Sequence, residues 1–182
     1  VRELVELGLL DGLSSVGIPT AELVFYSKHG QRIWAEARGI AAGYNWPQFS
    51  IHRSELLSVL HRAVSDRLGP TRIHNGHHLV RFGQEADGPV WGECIDRSAA
   101  ISGGRFEADL LVACDGVHSV VRKTLYPEEG SPQWNGITMW RGVTIGPPFL
   151  SGRTMMMAGH FGRRVVVYPI SKQHEDQGQA LI

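Results

Sequence analysis

The pattern of apolar and polar residues predicts a mixture of helices and strands. Residues 1–10 carry apolar side chains on one side of a predicted helix. A hairpin is predicted next, with strands at 22–27 and 31–36 that a tight turn at Lys28-His29-Gly30 connects. Glycine supplies the backbone freedom that such a turn needs.

The clearest helix is predicted to follow Arg53. Ser54 is a good N-cap, and Glu55 suits the positive first turn. Gly69-Pro70 ends the pattern. Apolar residues recur at helical spacing between these limits, at Leu56, Leu57, Leu60, Val64 and Leu68.

The rest of the chain is predicted to be rich in strands. The run L-L-V-A-C within residues 109–115 does not alternate, which is typical of a strand buried on both faces of a parallel or mixed sheet. A short helix is predicted from about Ser119 to Leu125. The other predicted strands are 72–74, 79–82 and 90–96, and then, as antiparallel strands, 138–144, 154–158 and 163–168. The fold class is therefore α/β, of the mixed α+β kind.

Composition and charge narrow the class of protein. The 182 residues include 18 Lys+Arg and 18 Asp+Glu, and 42% are hydrophobic. This composition excludes a disordered tail and a polybasic nucleic-acid binder, and predicts one domain, alone or with pieces of another.

Cys94 and Cys114 are too few for a disulfide framework, which favours the cytoplasm. No apolar run approaches the roughly 20 residues of a membrane span, and no leader opens the chain, so no membrane partner is expected.

A candidate ligand site lies at Asp115-Gly116, between the predicted buried strand and the helix near Ser119. Ligands of open α/β sheets bind beyond the carboxyl ends of the strands, and a glycine there leaves room for close approach. The helix start offers free N–H groups. Asp115 would suit ribose or ribityl hydroxyls better than a pyrophosphate. The alternative is an ordinary strand-to-helix turn in which Asp115 caps the helix.

Asp115-Gly116 with Ser119 and Arg122 resembles the Asp-Gly motif of the single-component FAD-dependent aromatic monooxygenases, the group of p-hydroxybenzoate and salicylate hydroxylases. The resemblance continues in I-H-R-S-E-L-L-S-V-L, in I-T-M-W-R-G-V and in V-V-V-Y-P-I-S. Together these segments are most similar to the phenazine-modifying monooxygenases, such as those acting on 5-methylphenazine-1-carboxylate. The match covers almost the entire chain in the right order.

The resemblance implies a site for FAD. Arg53 corresponds to the arginine that approaches the FAD phosphates and ribityl, and Leu79 to a strand residue whose backbone bonds the adenine. Asp115 and Gly116 would lie beside the flavin. The alternative for Arg53 is a surface arginine that caps or pairs locally.

The implied activity belongs to the parent enzyme. It would oxidise NAD(P)H, form a flavin C4a-hydroperoxide from O₂, and hydroxylate an aromatic or heteroaromatic small molecule, phenazine- or salicylate-like. No catalytic base can be named, because the flavin carries the chemistry. The alternatives are a related FAD reductase or halogenase, and a non-catalytic truncated product or binding module.

The sequence departs from the family pattern. Ala113-Cys114 stands where Gly-Ala is usual, and neither G-x-G-x-x-G nor the later Gly-Asp motif occurs. The family places these motifs before residue 1 and after residue 182, so an internal fragment is expected. Residues 1–135 would be a partial FAD-binding domain without its N-terminal βαβ unit, with a substrate-domain hairpin near 20–45. Residues 136–182 would be a partial substrate-domain sheet.

Two further clusters, one of histidines and one of methionines, are weaker candidates for a functional site. His74, His77 and His78 lack a carboxylate or cysteine that would complete a metal site, so a loop or strand edge is expected and no metal. Met155, Met156 and Met157 alternate across a predicted strand, and one face of it is a candidate substrate contact. The oligomeric state stays open.

Overall fold

The computed structural model describes residues 1–97 and 101–182. It contains two compact units: unit 1 consists of Val1–Pro70 with Trp140–Ile182, and unit 2 is Thr71–Met139. Both units combine helix with β-sheet, so the predicted mixed α/β fold class is confirmed.

The regular elements are as follows in chain order. The helices are α1 (Arg2–Glu6), α2 (Leu10–Val16), α3 (Arg53–Leu68), α4 (Val120–Leu125) and α5 (Lys172–Asp176). The strands are β1 (Ile18–Thr20), β2 (Glu22–Ser27), β3 (Arg32–Ala37), β4 (Gln48–Ser50), β5 (His77–Gln84), β6 (Val90–Asp96), β7 (Ile101–Ala108), β8 (Ile145–Gly146), β9 (Thr154–His160), β10 (Arg163–Val167) and β11 (Ala180–Leu181).

The N-terminal segment differs from its prediction. The single helix expected over residues 1–10 ends at Glu6, because Gly8 adopts the left-handed conformation at φ 69°. A second helix, α2, then begins at Leu10. It was not predicted, since Asp11-Gly12 and two serines interrupt the apolar pattern.

A four-stranded sheet in the order β10-β9-β2-β3 dominates unit 1. The predicted hairpin is confirmed, because β2 pairs antiparallel with β3. The predicted strands at 154–158 and 163–168 are also present, as the antiparallel pair β9 and β10. The expectation that this region is purely antiparallel is wrong, since β9 pairs parallel with β2. Two antiparallel ribbons, β1-β4 and β8-β11, complete the unit.

The predicted helix after Arg53 is confirmed as α3, but its cap is different. The N-cap is His52, and its ring Nδ1 accepts a hydrogen bond from the Ser54 backbone N–H. Ser54 therefore lies inside the first turn, and Arg53 is the first helical residue. Gly69 ends the helix with φ 88°, as its position predicted.

The core of unit 1 is small and mainly apolar, and its buried polar side chains are Thr20, Ser50, Thr154 and Ser171. The Thr20 and Ser50 hydroxyls lie 2.7 Å apart between β1 and β4 and satisfy each other. The buried apolar side chains are Leu9, Leu13, Ile18, Leu23, Val24, Ile170 and Ala180.

Unit 2 is built on the antiparallel sheet β5-β6-β7. The strands predicted at 79–82 and 90–96 are confirmed within β5 and β6. The prediction of a strand at 72–74 is wrong, because Pro70–Arg72 forms a 3-10 helix. Strand β7 was missed, since Gly103-Gly104 and the charges after it hide any alternation. Helix α4 agrees with its prediction.

Two predicted strands are absent from the part of the chain that the structure describes. Residues 109–115 and 138–144 are irregular and largely exposed; Leu110 is 75% exposed and Trp140 is 91% exposed. A buried parallel strand needs a hydrogen-bonded neighbour on each side. No strand in the described ranges pairs with either segment, so their apolar side chains remain in contact with water.

Candidate functional site

Arg53 lies at the start of α3, where a short ribbon fixes the backbone. Strand β4 ends at Ser50, and the His52 backbone N–H donates to the Ile170 carbonyl at 3.0 Å. The His52 ring then caps the helix, and its Nδ1 lies 2.6 Å from the Ser54 hydroxyl. These bonds hold the first turn of α3 in a defined position in unit 1.

Arg53 and the N-terminus of α3 bring positive charge to this turn, and Glu55 in the same turn brings negative charge. Arg53 is exposed, and its guanidinium forms no ion pair with residues 1–97 or 101–182. The start of a 16-residue helix adds partial positive charge and unpaired N–H groups. A guanidinium offers several donors in a planar fork that suits phosphate oxygens. Arg53 is therefore free to bind an anionic group.

A pocket of about 410 Å³ lies within unit 2. One wall is a face of the three-stranded sheet, and the other is the irregular segment at 111–115. Gly92 makes space at this wall, because a Cβ there would lie 3.0 Å from Leu79 Cδ1. The lining is mainly apolar and consists of His77, Leu79, Val90, Trp91, Gly92, Cys94, Phe106, Ala108, Leu111, Val112, Ala113, Cys114 and Asp115.

Ser119 is the N-cap of α4, and Asp115 supplies a second acceptor at the start of the helix. Its Oδ2 accepts the Val120 backbone N–H at 2.8 Å, while the Ser119 hydroxyl oxygen accepts the Arg122 N–H at 2.9 Å. The hydrogen bond from the Ser119 side chain, aided by backbone N–H groups, holds the pKa of Asp115 below its usual value. The contact with the helix start that the sequence left as an alternative for Asp115 is thus present, although Ser119 is the N-cap, and Asp115 also lines the pocket.

We expect the Val120 amide to report the charge on Asp115. The folded-state pKa of Asp115 lies below the unfolded value of about 3.9. The charged carboxylate therefore stabilises α4 at neutral pH, and this stabilisation is lost as the pH falls through the lowered pKa. In Asp115→Asn, the acid titration of the Val120 amide shift in NMR spectra should disappear. Asp109→Asn, an exposed change nearby, should leave it intact; a titration that persists in Asp115→Asn would contradict this contact.

Gly116 and Arg122 complete the motif. Gly116 has φ 79°, a left-handed conformation that favours glycine, and apart from its two chain neighbours no atom of the described residues lies within 4 Å of where its Cβ would be. Arg122 Nε donates to Glu129 Oε2 at 2.6 Å, and its guanidinium lies 5.7 Å from the Tyr126 ring centroid. The bond to Glu129 raises the pKa of Arg122 and lowers that of Glu129. Open space therefore lies beside Gly116, while the Arg122 guanidinium is already paired with Glu129.

The structure brings together some of the candidate residues. Leu79 and Asp115 line the same pocket, and Gly116 follows directly, whereas Arg53 belongs to unit 1. Sequence analysis missed the wall that β6 and β7 contribute, which includes Trp91 and Phe106. The strand predicted at 90–96 was the available signal for the β6 part of this wall, but no pattern in β7 marked Phe106.

The histidine cluster lies against an aromatic ring. His74 and His77 pack against the Phe106 ring, with centroid distances of 5.9 and 5.4 Å. Within the described ranges, no group of three or more His, Cys, Asp or Glu side chains is arranged to hold a metal ion. In the same residues, no helix has the length and apolar character to cross a bilayer.

Curated relatives match the whole chain. It is 38% identical over 183 aligned positions to a phenazine 1,6-dicarboxylic acid hydroxylase, PhzS, of Lysobacter antibioticus, covering 100% of this chain and 45% of the relative. It is 28% identical to a 3-amino-4-hydroxybenzoate 2-monooxygenase of Streptomyces cremeus, covering 94% of this chain and 42% of that protein. The chain thus spans less than half the length of these relatives.

Solved structures share the fold. A Klebsiella pneumoniae HpxO complexed with FAD and uric acid aligns with a TM-score of 0.64 and 20% identity, over 99% of this chain and 43% of that one. A p-nitrophenol 4-monooxygenase, PnpA, of Pseudomonas putida aligns with a TM-score of 0.67 and 15% identity, over 99% and 44%. The family model described as "FAD binding domain" matches residues 3–176, and the chain therefore belongs to this FAD-binding family.

Proposed function

We propose that this chain is part of an FAD-dependent monooxygenase that uses NAD(P)H and O₂ to hydroxylate an aromatic or heteroaromatic acid. A phenazine carboxylic acid is the favoured substrate class, and a salicylate-like acid is the second. The observation that carries the proposal is the 38% identity, over the whole chain, to a phenazine 1,6-dicarboxylic acid hydroxylase.

Local geometry supports FAD as the cofactor. The Arg53 guanidinium is exposed at a helix start, and the backbone at Gly116 has open space beside it. Each feature, taken by itself within its own unit, suits part of a dinucleotide: a cation suits the diphosphate, and accessible backbone suits the polyol. When bound, FAD supplies the redox chemistry that accepts electrons from NAD(P)H and activates O₂.

The chain's own residues would bind and orient the cofactor. We assign Arg53 to the FAD diphosphate and ribityl, where charge-assisted hydrogen bonds are strong. Leu79 is assigned to the adenine through its backbone, and Asp115 with Gly116 to the edge of the flavin site. Asp115 already accepts N–H groups and keeps a low pKa, so it suits a positioning role better than proton transfer near neutral pH.

The proposal also assigns the segments of the chain to two domains. Residues 1–135 would belong to the FAD-binding domain, apart from the hairpin near 20–45, and residues 136–182 to the substrate-domain sheet. The hairpin supports this assignment, because β2 pairs with β9 in one sheet. The parallel register places Met155, Met156 and Met157 opposite Leu23, Val24 and Phe25, so each face of the sheet carries apolar candidates for a substrate contact. A cytoplasmic location remains a prediction.

The test uses the whole protein that contains this chain, loaded with FAD. NADH or NADPH oxidation is measured with and without phenazine-1,6-dicarboxylate or salicylate, and products are identified by mass spectrometry. Substrate-dependent oxidation with a product heavier by one oxygen atom supports the proposal. Oxidation without an oxygenated product would indicate a reductase, and a halide-dependent product would indicate a halogenase. Failure to bind FAD would indicate a non-catalytic product, and each of these results would overturn the proposal.

A further inference from the structure

Two turns of the unit 1 sheet lie side by side, at the boundary of the sheet where strands β2 and β9 end. Strands β2 and β9 run parallel, and Ser27 at the end of β2 is opposite Gly159 near the end of β9. The next residues are the β2–β3 turn, at 28–31, and the β9–β10 turn, Phe161-Gly162. Segments about 130 residues apart in sequence therefore meet in space.

This edge concentrates positive charge. Residues 27–32 read S-K-H-G-Q-R and residues 159–164 read G-H-F-G-R-R, with no Asp or Glu in either. Neither Lys28 nor Arg32, Arg163 or Arg164 forms an ion pair with the residues that the structure describes. We call Lys28, His29, Arg32, His160, Phe161, Arg163 and Arg164 the basic edge; all of these residues are exposed.

Phe161 is the apolar tip of the basic edge. It lies in a two-residue turn and is 97% exposed. Gly159 has φ 133°, and a Cβ there would lie 2.3 Å from the Arg163 carbonyl oxygen, so the two strands approach closely up to the turn. The His160 ring accepts the Gly162 N–H at 3.2 Å and further defines the turn. The phenylalanine is therefore presented by an ordered hairpin.

We propose that the basic edge docks the protein on an anionic lipid surface. An apolar ring ahead of a row of cations matches the layering of a bilayer surface, where apolar groups insert below the headgroups and Lys or Arg meet the phosphates. The chain as a whole contains equal numbers of acidic and basic residues. The local excess of positive charge arises only because the β2–β9 register brings the two basic turns together. The proposal goes beyond the oxidative function and does not depend on it, and it departs from the expectation, drawn from the sequence, that the protein has no membrane partner.

Other polyanions fit the basic edge less well. A nucleic acid is usually held by a groove with several stacking aromatic rings, whereas Phe161 is a single ring at a projecting turn. A stable acidic protein partner needs roughly 800 Å² from each side, which two narrow turns do not offer.

The experiment is sedimentation of the whole protein with vesicles of phosphatidylcholine, alone or with phosphatidylglycerol as about a third of the lipid. We expect binding to the anionic vesicles and its release by high salt. Arg163→Ser with Arg164→Ser should weaken binding about thirtyfold, since each cation near such a surface contributes about fivefold. Phe161→Ser should weaken it about tenfold.

The matched control is Arg62→Ser with Arg72→Ser, which removes the same charge from two exposed positions elsewhere. It should bind like the parent, and circular dichroism confirms that every variant folds. Equal binding to both vesicle types, no binding to either, or an equal loss in the control would overturn the proposal. Binding to single-stranded RNA or polyglutamate without binding to vesicles would also overturn it, and would assign the basic edge to that other class of partner.

Discussion

Replacing Ile18 by alanine is expected to lower the free energy of unfolding by about 2–5 kcal/mol, because it leaves a cavity in the unit 1 core. Ile18 is 1% exposed and lies in β1, opposite Ser50 of β4. The measurement is urea unfolding of the chain, followed by circular dichroism. Ile18→Val, which removes one methylene, should cost only about 0.5–1.5 kcal/mol.

This substitution links the core to the candidate site. Strand β4 leads directly into His52 and Arg53, so loss of packing at Ile18 loosens the segment that positions the guanidinium. A loss below about 1 kcal/mol for Ile18→Ala would contradict the role of this side chain as a core residue.

Replacing Arg53 by alanine should weaken FAD binding by the whole protein about ten- to a hundredfold. The reason is the loss of a charged hydrogen bond to a phosphate, which contributes about 1.5–3 kcal/mol. Arg53→Lys should weaken binding less, since lysine keeps the charge but loses the planar fork. Titration of the apoproteins with FAD, followed by flavin fluorescence, measures the three affinities.

The same helix provides the control for this experiment. Arg62 is exposed nine residues further along α3, so Arg62→Ala removes an equal charge from a position away from the first turn. FAD affinity should be unchanged in that variant. Unchanged affinity in Arg53→Ala would instead leave Arg53 as an ordinary surface residue.

Local sequence signals predicted the elements whose bonds are local. The β2–β3 hairpin was predicted because its turn, strands and glycine lie within 16 residues, and the Ser27 hydroxyl in that segment accepts the His29 and Gln31 N–H groups. Helix α3 was predicted for the same reason, since its apolar spacing and Gly69 are intrinsic to it. The cap at His52 was missed, because a ring nitrogen as acceptor is not part of the usual N-cap preference.

Pairing between distant segments could not be predicted. The sequence contains nothing that aligns Glu22 with Thr154, yet this register produces the parallel β2–β9 pair and the basic edge. The apolar run at 109–115 predicted a buried strand, and this prediction is wrong, because a strand exists only with partners and the described chain supplies none for it. Of the candidate site, only the family resemblance associated Leu79 with Asp115, 36 positions later, because no local pattern links them; the structure places both residues in the lining of one pocket.

The β2–β9 pair also sets the order in which the protein can fold during synthesis. Glu22 accepts a hydrogen bond from Thr154 across 132 positions of sequence, and along the chain the residues of unit 2 come after the first segment of unit 1 and before its second. A ribosome therefore releases the β2–β3 hairpin long before β9 exists, and an isolated hairpin is marginally stable in water. Until β9 arrives, β2 presents an open edge of unpaired N–H and C=O groups, which attracts other strands. We expect slow, high-contact-order folding, with aggregation most severe for nascent chains that end before residue 160.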